Sequence, residues 1–361
     1  MRLRDGRTLP LSFAVAVVTI LLPTLRAAQN APFPDSNTCT VDKDGTAHVT
    51  RVVPVPKTVS PEAQKFLSRP GPSGPEPSLA ERRARTDEFR QGRSAEARKL
   101  FPVNIEEKAS GGVRCDLITP TEIPAENRDR VLINVHGGGF NSDSGSLVEG
   151  VPIAYLTKTR VISVYYRLAP ENPYPAAVDD TEAVYRDVLA KYKPNRVGLF
   201  GTSAGAILTA EAAARFKKDG LPLPAALGIF SGTGDLSLRA DSEALFTIWG
   251  WPGHLDPPTG HPHLNDYVGK SDPKDPVLSP LYSDLHGLPP ALFVTSTRDL
   301  LLSGTTILHR AFLRAGVDAQ LVVFEALPHA FWYDYHLPET KEALDLMAKF
   351  FDDKLCKAGG H

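Results

Sequence analysis

The sequence has few cysteines, no long basic run and no apolar run of clear membrane-spanning length, and each shortage excludes a class of protein. Three cysteines among 361 residues, Cys39, Cys115 and Cys356, are too few for a disulfide scaffold, and the odd number leaves at least one without a partner in the chain. Forty Lys and Arg against 42 Asp and Glu give a formal charge of −2, so no nucleic-acid partner is expected. The sequence shows no internal repeat and no low-complexity segment.

The N-terminal residues 1–28 are predicted to be an export signal. Three arginines precede the apolar run Leu11–Leu22, and the small pair Ala27-Ala28 follows it. Twelve apolar residues are short for a membrane span, but an uncleaved N-terminal anchor is the alternative. The expected location is therefore periplasmic or secreted, with no membrane partner beyond that anchor.

The rest of the chain is predicted to be an extended arm followed by one α/β domain. Residues 29–58 are polar and proline-rich, and we expect them to form the arm. The domain, 59–361, is expected to begin with two helices and an antiparallel strand pair, at Ser60–Leu67, Leu79–Phe89, Val103–Ser110 and Gly112–Ile118.

From residue 131 onward, short apolar runs alternate with helical patterns. Runs of this kind are typical of parallel strands buried on both faces, and they stand at Val131–Val135, Val161–Tyr165, Val197–Phe200, Ala225–Phe230, Ala291–Thr295 and Gln320–Phe324. Helices are predicted between several of them and at the end of the chain, at Asp179–Lys191, Ala204–Lys217, Gly304–Ala315 and Pro338–Lys357. The pattern predicts a mostly parallel sheet with helices on both faces. A strand-free stretch from 230 to 291 is expected to be a lid or binding insertion.

The segment Gly201-Thr202-Ser203-Ala204-Gly205 is a G-x-S-x-G motif between a predicted strand and a predicted helix. A sharp strand-to-helix turn of this kind exposes a serine hydroxyl and tolerates no side chains two residues to either side. Ser203 is therefore the candidate nucleophile.

A nucleophilic serine needs hydrogen-bond donors for the oxyanion that forms on its substrate. His136-Gly137-Gly138-Gly139 follows the strand Val131–Val135 and offers bare backbone N–H groups. The N–H of Ala204, next to the nucleophile, would complete the oxyanion hole. His136 is expected to brace this loop and not to act as a base.

The acid and the base are expected later in the chain, in that order. His329 stands in a short loop just beyond the last predicted strand, so it is the candidate base. Asp299 follows the preceding strand and is the candidate acid, with a helix cap as its alternative role. The histidines of the insertion, His254, His261 and His263, include an H-x-H pair but lack the carboxylate or cysteine spacing of a metal site, so no metal is expected.

Four motifs in this order resemble the hormone-sensitive-lipase-like esterases of the α/β-hydrolase superfamily. They are HGGG at 136–139, YRLAPE at 166–171, GTSAG at 201–205, and the stretch from RDLLLSG at 298–304 to PHAF at 328–331. The similarity runs from about residue 60 to 355. Thr202 stands where many relatives carry an acidic residue, which resembles one branch of the family, and Leu300 stands where many have proline.

The resemblance implies an α/β-hydrolase fold with an eight-stranded sheet and a helical cap from about 59–100 and 232–285. It also implies Ser203 as nucleophile, Asp299 as acid and His329 as base. By the same match, Gly138, Gly139 and Ala204 form the oxyanion hole.

The reaction implied is two-step acyl transfer on short- to medium-chain acyl esters, without cofactor or metal. Amide or lactone hydrolysis by the same triad is the alternative. A non-catalytic ligand-binding relative is disfavoured, because the candidate base is present. The aromatic residues that could line an acyl pocket, or simply pack the cap, are Phe66, Phe89, Phe246, Trp249 and Trp251.

Overall fold

The computed structural model describes residues 38–69, 77–250 and 262–356. The predicted export signal, 1–28, lies outside these ranges. Within them, every helix is too short or too polar to cross a membrane.

A separate unit at the N-terminal end contains a small antiparallel hairpin. Its strands are β1, Thr38–Val41, and β2, Ala47–Thr50, with Cys39 opposite Val49. The connecting turn is closed by hydrogen bonds from the N–H of Asp42 to the carbonyl of Thr46 and from the N–H of Gly45 to the carbonyl of Asp42, at 2.8 and 3.0 Å. The segment 29–58, expected to be an extended arm, therefore forms a two-stranded hairpin in its described part.

The second unit, from Pro56 onward, is built on an eight-stranded sheet, as the resemblance implied. Its strands are β3 Val103–Ser110, β4 Val113–Pro120, β5 Val131–Val135, β6 Arg160–Val164, β7 Val197–Thr202, β8 Ala226–Phe230, β9 Ala291–Ser296 and β10 Ala319–Phe324. Their order in the sheet is β10-β9-β8-β7-β5-β6-β4-β3. The six strands from β10 to β6 run parallel, while β3 and β4 are antiparallel to their neighbours.

Helices cover both faces of this sheet. They are α1 Pro61–Leu67, α2 Leu79–Leu100, α3 Ser146–Thr157, α4 Ala176–Leu189, α5 Ala204–Lys218, α6 Asp241–Leu245, α7 Pro262–Val268, α8 Leu302–Arg314 and α9 Pro338–Lys354. Apolar side chains of α4, α5 and α8 form one core, and those of α1, α3 and α9 form the other. Strands buried between two such layers have to be apolar on both faces, which is why they read as continuous apolar runs.

The first and last helices of the unit are joined by hydrogen bonds at their N-terminal ends. Ser60 caps α1 by accepting the N–H of Ala63 at 3.0 Å. Its own N–H and hydroxyl donate to Glu339, in the first turn of α9, at 2.7 and 2.9 Å. The start of the unit is therefore fixed by a residue 279 positions later in the chain.

Two helices differ from the sequence expectation. The helix predicted to end at Phe89 continues to Leu100 as α2, although only Ser94 and Ala97 in it are buried. The helix α3 was not predicted, because it is apolar on nearly every face and shows no helical periodicity.

The chain reverses direction across the sheet at β5. It passes from β5 to β6 on one side and returns to β7 on the other. At such a reversal the loops after neighbouring parallel strands diverge and leave a crevice at their carboxyl ends. The loops that follow β5 and β7 carry the HGGG and GTSAG motifs, so both lie at this crevice.

Candidate active site

Ser203 lies on a strained turn between β7 and α5. Its φ is 60° and its ψ is −122°, a backbone conformation that non-glycine residues rarely adopt. A Cβ atom on Gly201 or Gly205 would stand 2.1 or 1.9 Å from the carbonyl oxygen of Val135. Only glycine fits at these two positions, which explains the G-x-S-x-G spacing.

The HGGG loop lies directly against this turn. A Cβ atom on Gly137 would stand 3.3 Å from the Cβ of Ser203. Among the described residues, the backbone N–H groups of Gly138, Gly139 and Ala204 donate to no protein acceptor. All three are therefore free to donate to a bound oxyanion.

His136 braces the loop, as its sequence context predicted. Its ring is buried and stacks on Tyr166 with 4.1 Å between the ring centroids. Its Nδ1 lies 2.8 Å from the carbonyl oxygen of Gly137, and its own carbonyl accepts the Tyr166 hydroxyl at 2.6 Å. A ring enclosed in this way has no access to substrate.

Asp299 and His329 meet where the loops after β9 and β10 come together. His329 Nδ1 lies 2.9 Å from Asp299 Oδ1, and the side chains are 6% and 0% exposed. The N–H of Leu301 donates to the same carboxylate oxygen at 2.8 Å, and the hydroxyl of Thr295 donates to the other at 3.0 Å. The Asp299 carbonyl also accepts the N–H of Leu302 at 3.1 Å, so the residue shapes the start of α8 as well.

The charge of Asp299 is set by its partners. Burial alone would raise its pKa, but the His329 charge and the hydrogen bonds from His329, Ser231 and Leu301 outweigh burial and lower the pKa below its usual value. Asp299 is therefore ionised at neutral pH and can stabilise a positively charged imidazole.

The structure brings the candidate acid to the candidate base but shows no hydrogen bond from Ser203 to His329 within the described ranges. Such bonds are often long in free enzymes and tighten when substrate binds. Two contacts join the serine turn to the elements around His329. The N–H of Ser203 donates to the carbonyl of Phe230 at 3.0 Å, and Trp332 Nε1 donates to Thr202 Oγ1 at 3.1 Å. Thr202, the departure from the family pattern, thus accepts a bond from the loop that carries the base.

Two polar residues beside the site were missed by the sequence analysis. Ser231 follows β8 directly and contacts both Asp299 and His329. The rule that found Asp299 and His329, a polar residue just after a buried strand, would also have found Ser231. Glu149 lies in the unpredicted helix α3, where one acid in an apolar segment was the available signal.

Glu149 is buried beneath the HGGG loop and binds its backbone. It accepts hydrogen bonds from the N–H of Gly137 at 3.3 Å, from Asn134 Nδ2 at 3.0 Å and from the Tyr333 hydroxyl. Burial raises the pKa of Glu149 to about 8 despite these bonds. Tyr333 lies in the same short helical segment as Trp332. This segment therefore contacts both Glu149, which accepts the N–H of Gly137 in the HGGG loop, and Thr202 in the serine turn.

Helix α2 is attached near the site through arginines. Arg83 donates to the carbonyl of Asn141 at 2.7 Å and pairs with Glu171 at 2.7 Å. Arg93 pairs with Asp334, three residues after the end of the PHAF motif, at 3.3 Å. The predicted cap helix thus contacts the loops after β5, β6 and β10 by charged groups.

The aromatic residues proposed for an acyl pocket have different surroundings. Phe66 packs against the core that contains α1, and Phe246 is 9% exposed. Phe89 and Trp249 are 38% and 53% exposed. Trp251 lies outside the described residues.

The insertion histidines are not all described. His254 and His261 fall outside the described ranges, as does the side chain of His263. In the part of the chain that is described, no group of three or more His, Cys, Asp or Glu is arranged to hold a metal ion. The three cysteines are free, and burial raises the pKa of the Cys115 thiol to about 12.

Comparison with known proteins identifies the family. A family model described as an alpha/beta hydrolase fold matches residues 132–333, more than half of the chain. An acetyl-hydrolase of Streptomyces hygroscopicus is 34% identical over 234 residues, which cover 63% of this chain and 77% of that protein. An esterase of Acinetobacter venetianus is 31% identical over 272 residues, or 70% of this chain and 84% of its own.

Solved structures give the same result over a longer stretch. The crystal structure of an esterase superposes with a TM-score of 0.76 at 30% identity, covering 87% of this chain and all of the other. An esterase from the bacterial hormone-sensitive lipase family superposes with a TM-score of 0.67 at 29% identity, covering 82% and 99%. With the parallel sheet, the serine turn and the buried acid–base pair described above, these matches show that the chain belongs to the alpha/beta hydrolase fold family and is a carboxylesterase-type hydrolase.

Proposed function

We propose that this enzyme hydrolyses short- to medium-chain acyl esters with Ser203 as nucleophile, His329 as base and Asp299 as acid. The observation that carries the proposal is the buried Asp299–His329 pair at 2.9 Å, located at the same sheet edge as the strained Ser203. Acyl transfer requires a nucleophilic serine, a carboxylate and an imidazole, and this chain carries them in the order Ser203, Asp299, His329 that is typical of this fold.

In the first step, His329 Nε2 accepts the proton of Ser203 as Oγ attacks the ester carbonyl carbon. The carbonyl oxygen becomes negative and accepts hydrogen bonds from Gly138, Gly139 and Ala204. The ester C–O bond then breaks, and the imidazolium gives its proton to the departing alkoxide. An acyl-enzyme and a free alcohol remain.

In the second step, water attacks the acyl-enzyme. His329 takes one proton from the water, and the oxygen forms a bond to the acyl carbon. When the bond to Ser203 breaks, His329 returns the proton to Oγ, and the carboxylic acid is released. Asp299 stays ionised throughout and stabilises the imidazolium that forms in each step.

The preference for short acyl groups is supported by the relatives. One is called an acetyl-hydrolase, others are versiconal hemiacetal acetate esterases, and a 25% identical neighbour was soaked with p-nitrophenyl butyrate in the crystal. These names all concern acyl chains of two or four carbons. The cap, which includes α2 and the 232–285 insertion, is the part of the chain proposed to limit acyl length.

The test is hydrolysis of p-nitrophenyl esters from C2 to C16 by the wild type and by Ser203→Ala. We expect wild-type activity to be highest on the shortest chains, and Ser203→Ala to lose at least about 10³-fold in kcat, as removal of a nucleophile does.

The matched control is Ser110→Ala, which removes a serine hydroxyl at the end of β3, bonded to Asp187 at 2.6 Å. It should keep wild-type kcat. A folded Ser203→Ala enzyme with more than a few per cent of wild-type activity would overturn the assignment. A folded wild type inactive on every ester would overturn the substrate class and favour amides or lactones.

A further inference from the structure

Ser231 occupies a strained and fully buried position at the end of β8. Its φ is 58°, in the left-handed region that side chains other than glycine seldom adopt. Its N–H donates to the carbonyl of Val294 at 2.7 Å, which fixes its backbone against β9. Backbone strain of this kind persists where the surrounding structure requires it and is concentrated at functional sites.

The hydroxyl of Ser231 contacts both members of the acid–base pair. Oγ donates to Asp299 Oδ2 and lies 2.7 Å from His329 Nδ1. His329 Nδ1 in turn lies 2.9 Å from Asp299 Oδ1. The three side chains therefore form a closed triangle of hydrogen bonds with no room for water among them.

The number of protons in this triangle fixes the role of each group. An ionised carboxylate can only accept hydrogen bonds, so the Ser231 hydroxyl donates its hydrogen bond to Asp299. Oγ then offers a lone pair to His329, which must carry its proton on Nδ1 to satisfy both oxygen neighbours. This tautomer leaves Nε2 with a lone pair, which is what a base acting on Ser203 needs.

Ser231 is not a second nucleophile. Its side chain is fully buried, and it faces Nδ1, whereas a nucleophile must face Nε2 and the substrate. Its contribution is therefore to the geometry of the pair and not to bond formation.

We propose that Ser231 is a positioning residue, which sets the ring orientation and tautomer of His329 by bridging it to Asp299. The inference rests on the proposed function of the Ser203, Asp299 and His329 triad. It adds a residue that none of the sequence motifs contains.

The test compares Ser231→Ala with Ser231→Gly. Both remove the hydroxyl, but glycine also relieves the strain of the positive φ, so its stability is expected to equal or exceed that of alanine. We expect kcat on p-nitrophenyl acetate to fall about 10- to 100-fold in both variants, the range for a lost hydrogen bond to a charged group. KM should stay within about twofold, because substrate is not contacted.

Thr295→Val is the matched control. Thr295 is also fully buried and donates to the same oxygen, Asp299 Oδ2, at 3.0 Å, but it is not bonded to His329. If bridging is what matters, this variant loses much less kcat than Ser231→Ala. Equal losses would show that Ser231 only solvates the acid, and would overturn the proposal.

A second readout does not depend on activity. The proton on His329 Nδ1 should give a far-downfield proton resonance in the wild type, which moves upfield or is lost by exchange in both Ser231 variants. If the resonance is present in wild type and Ser203→Ala and lost in both Ser231 variants while no form hydrolyses esters, the proposed function fails and the bridge stands. If folded Ser231→Gly keeps both the resonance and wild-type kcat, the bridge is wrong while the proposed function stands.

Discussion

Asp299 and Glu149 are two buried carboxylates on opposite sides of the same site, and their charges are controlled in opposite directions. Asp299 has a lowered pKa because an imidazole and several donors surround it. Glu149 has a pKa raised to about 8 because burial and the nearby Asp143 charge outweigh its three donors. Hydrogen-bond donors therefore offset burial at Asp299, where an imidazole also faces the carboxylate, and do not offset it at Glu149.

The opposite pKa shifts of Asp299 and Glu149 correspond to two different roles. In the proposed mechanism Asp299 must be charged, since it stabilises the positive charge that forms on His329. Glu149 must only be in place, since it holds the N–H of Gly137 and so fixes the loop that carries the oxyanion donors. One acid acts through its charge and the other through its position.

The strongest way to break this comparison is to replace each carboxyl group by an amide of nearly the same shape. We expect Asp299→Asn to lower kcat about 10³- to 10⁴-fold, because the imidazole loses its tautomer and its counter-charge. Glu149→Gln should lower kcat by less than about tenfold, because an amide oxygen can still accept from Gly137. Steady-state kinetics on p-nitrophenyl acetate measure both, and similar losses in the two variants would contradict the distinction.

A smaller effect is expected on stability as a function of pH. The pKa of Glu149 in the folded protein, about 8, lies above its ordinary value of 4.5, so the folded state binds this proton more tightly than the unfolded state. The stability it contributes is complete below about pH 4.5 and is lost as the pH rises through 8. A tenfold difference in proton affinity corresponds to about 1.4 kcal/mol.

The measurement is urea unfolding of the wild type and Glu149→Gln at pH 5 and pH 8.5. The wild type should lose stability relative to Glu149→Gln at the higher pH. For Asp299→Asn no such change is expected between these two pH values, since the stability that comes from a lowered pKa is lost only as the pH falls below about 3.8. If the difference in free energy of unfolding between wild type and Glu149→Gln does not change with pH, the pKa of Glu149 is not raised in the folded protein.

The smallest effect is expected from Tyr333→Phe, which keeps the ring but removes one donor from Glu149. Losing a donor to the ionised form raises the pKa of Glu149 further, so the loss of stability, which starts near pH 4.5, should continue to a higher pH than in the wild type. The same unfolding series, taken at closer pH intervals, measures the shift. A midpoint that moves to lower pH would mean that Tyr333 does not stabilise the charged form.

Most of the fold could be predicted because the sheet strands are buried on both faces. Six runs of apolar residues located β5 to β10 to within two residues at either end. The second half of α2 was missed for the opposite reason, since a helix that is polar on nearly all faces gives no periodic signal. The hairpin at 38–50 was missed because four-residue strands in a polar, proline-rich segment do not stand out from an arm.

Candidate site residues could be predicted where their role depends on residues close by in the sequence. They could not be predicted where the role depends on residues far away in the sequence. Ser203 is identified by two glycines that avoid the Val135 carbonyl, and these are its neighbours in sequence. Glu149 and Tyr333 are 184 residues apart, and nothing in either segment points to the other. Ser231 is an intermediate case, because its strand-end position was visible but its two partners were not.

The hydrogen bonds between Ser60 and Glu339 have a consequence for the order in which the protein is made. A ribosome adding about 5 to 20 residues per second needs roughly 14 to 56 s to travel the 279 positions between them. Until then Ser60, at the start of α1, has no Glu339 carboxylate to bind, although the serine turn and the HGGG loop have already been synthesised. The hydrogen bonds that join the start of α1 to α9 can therefore form only after nearly the whole chain has been made.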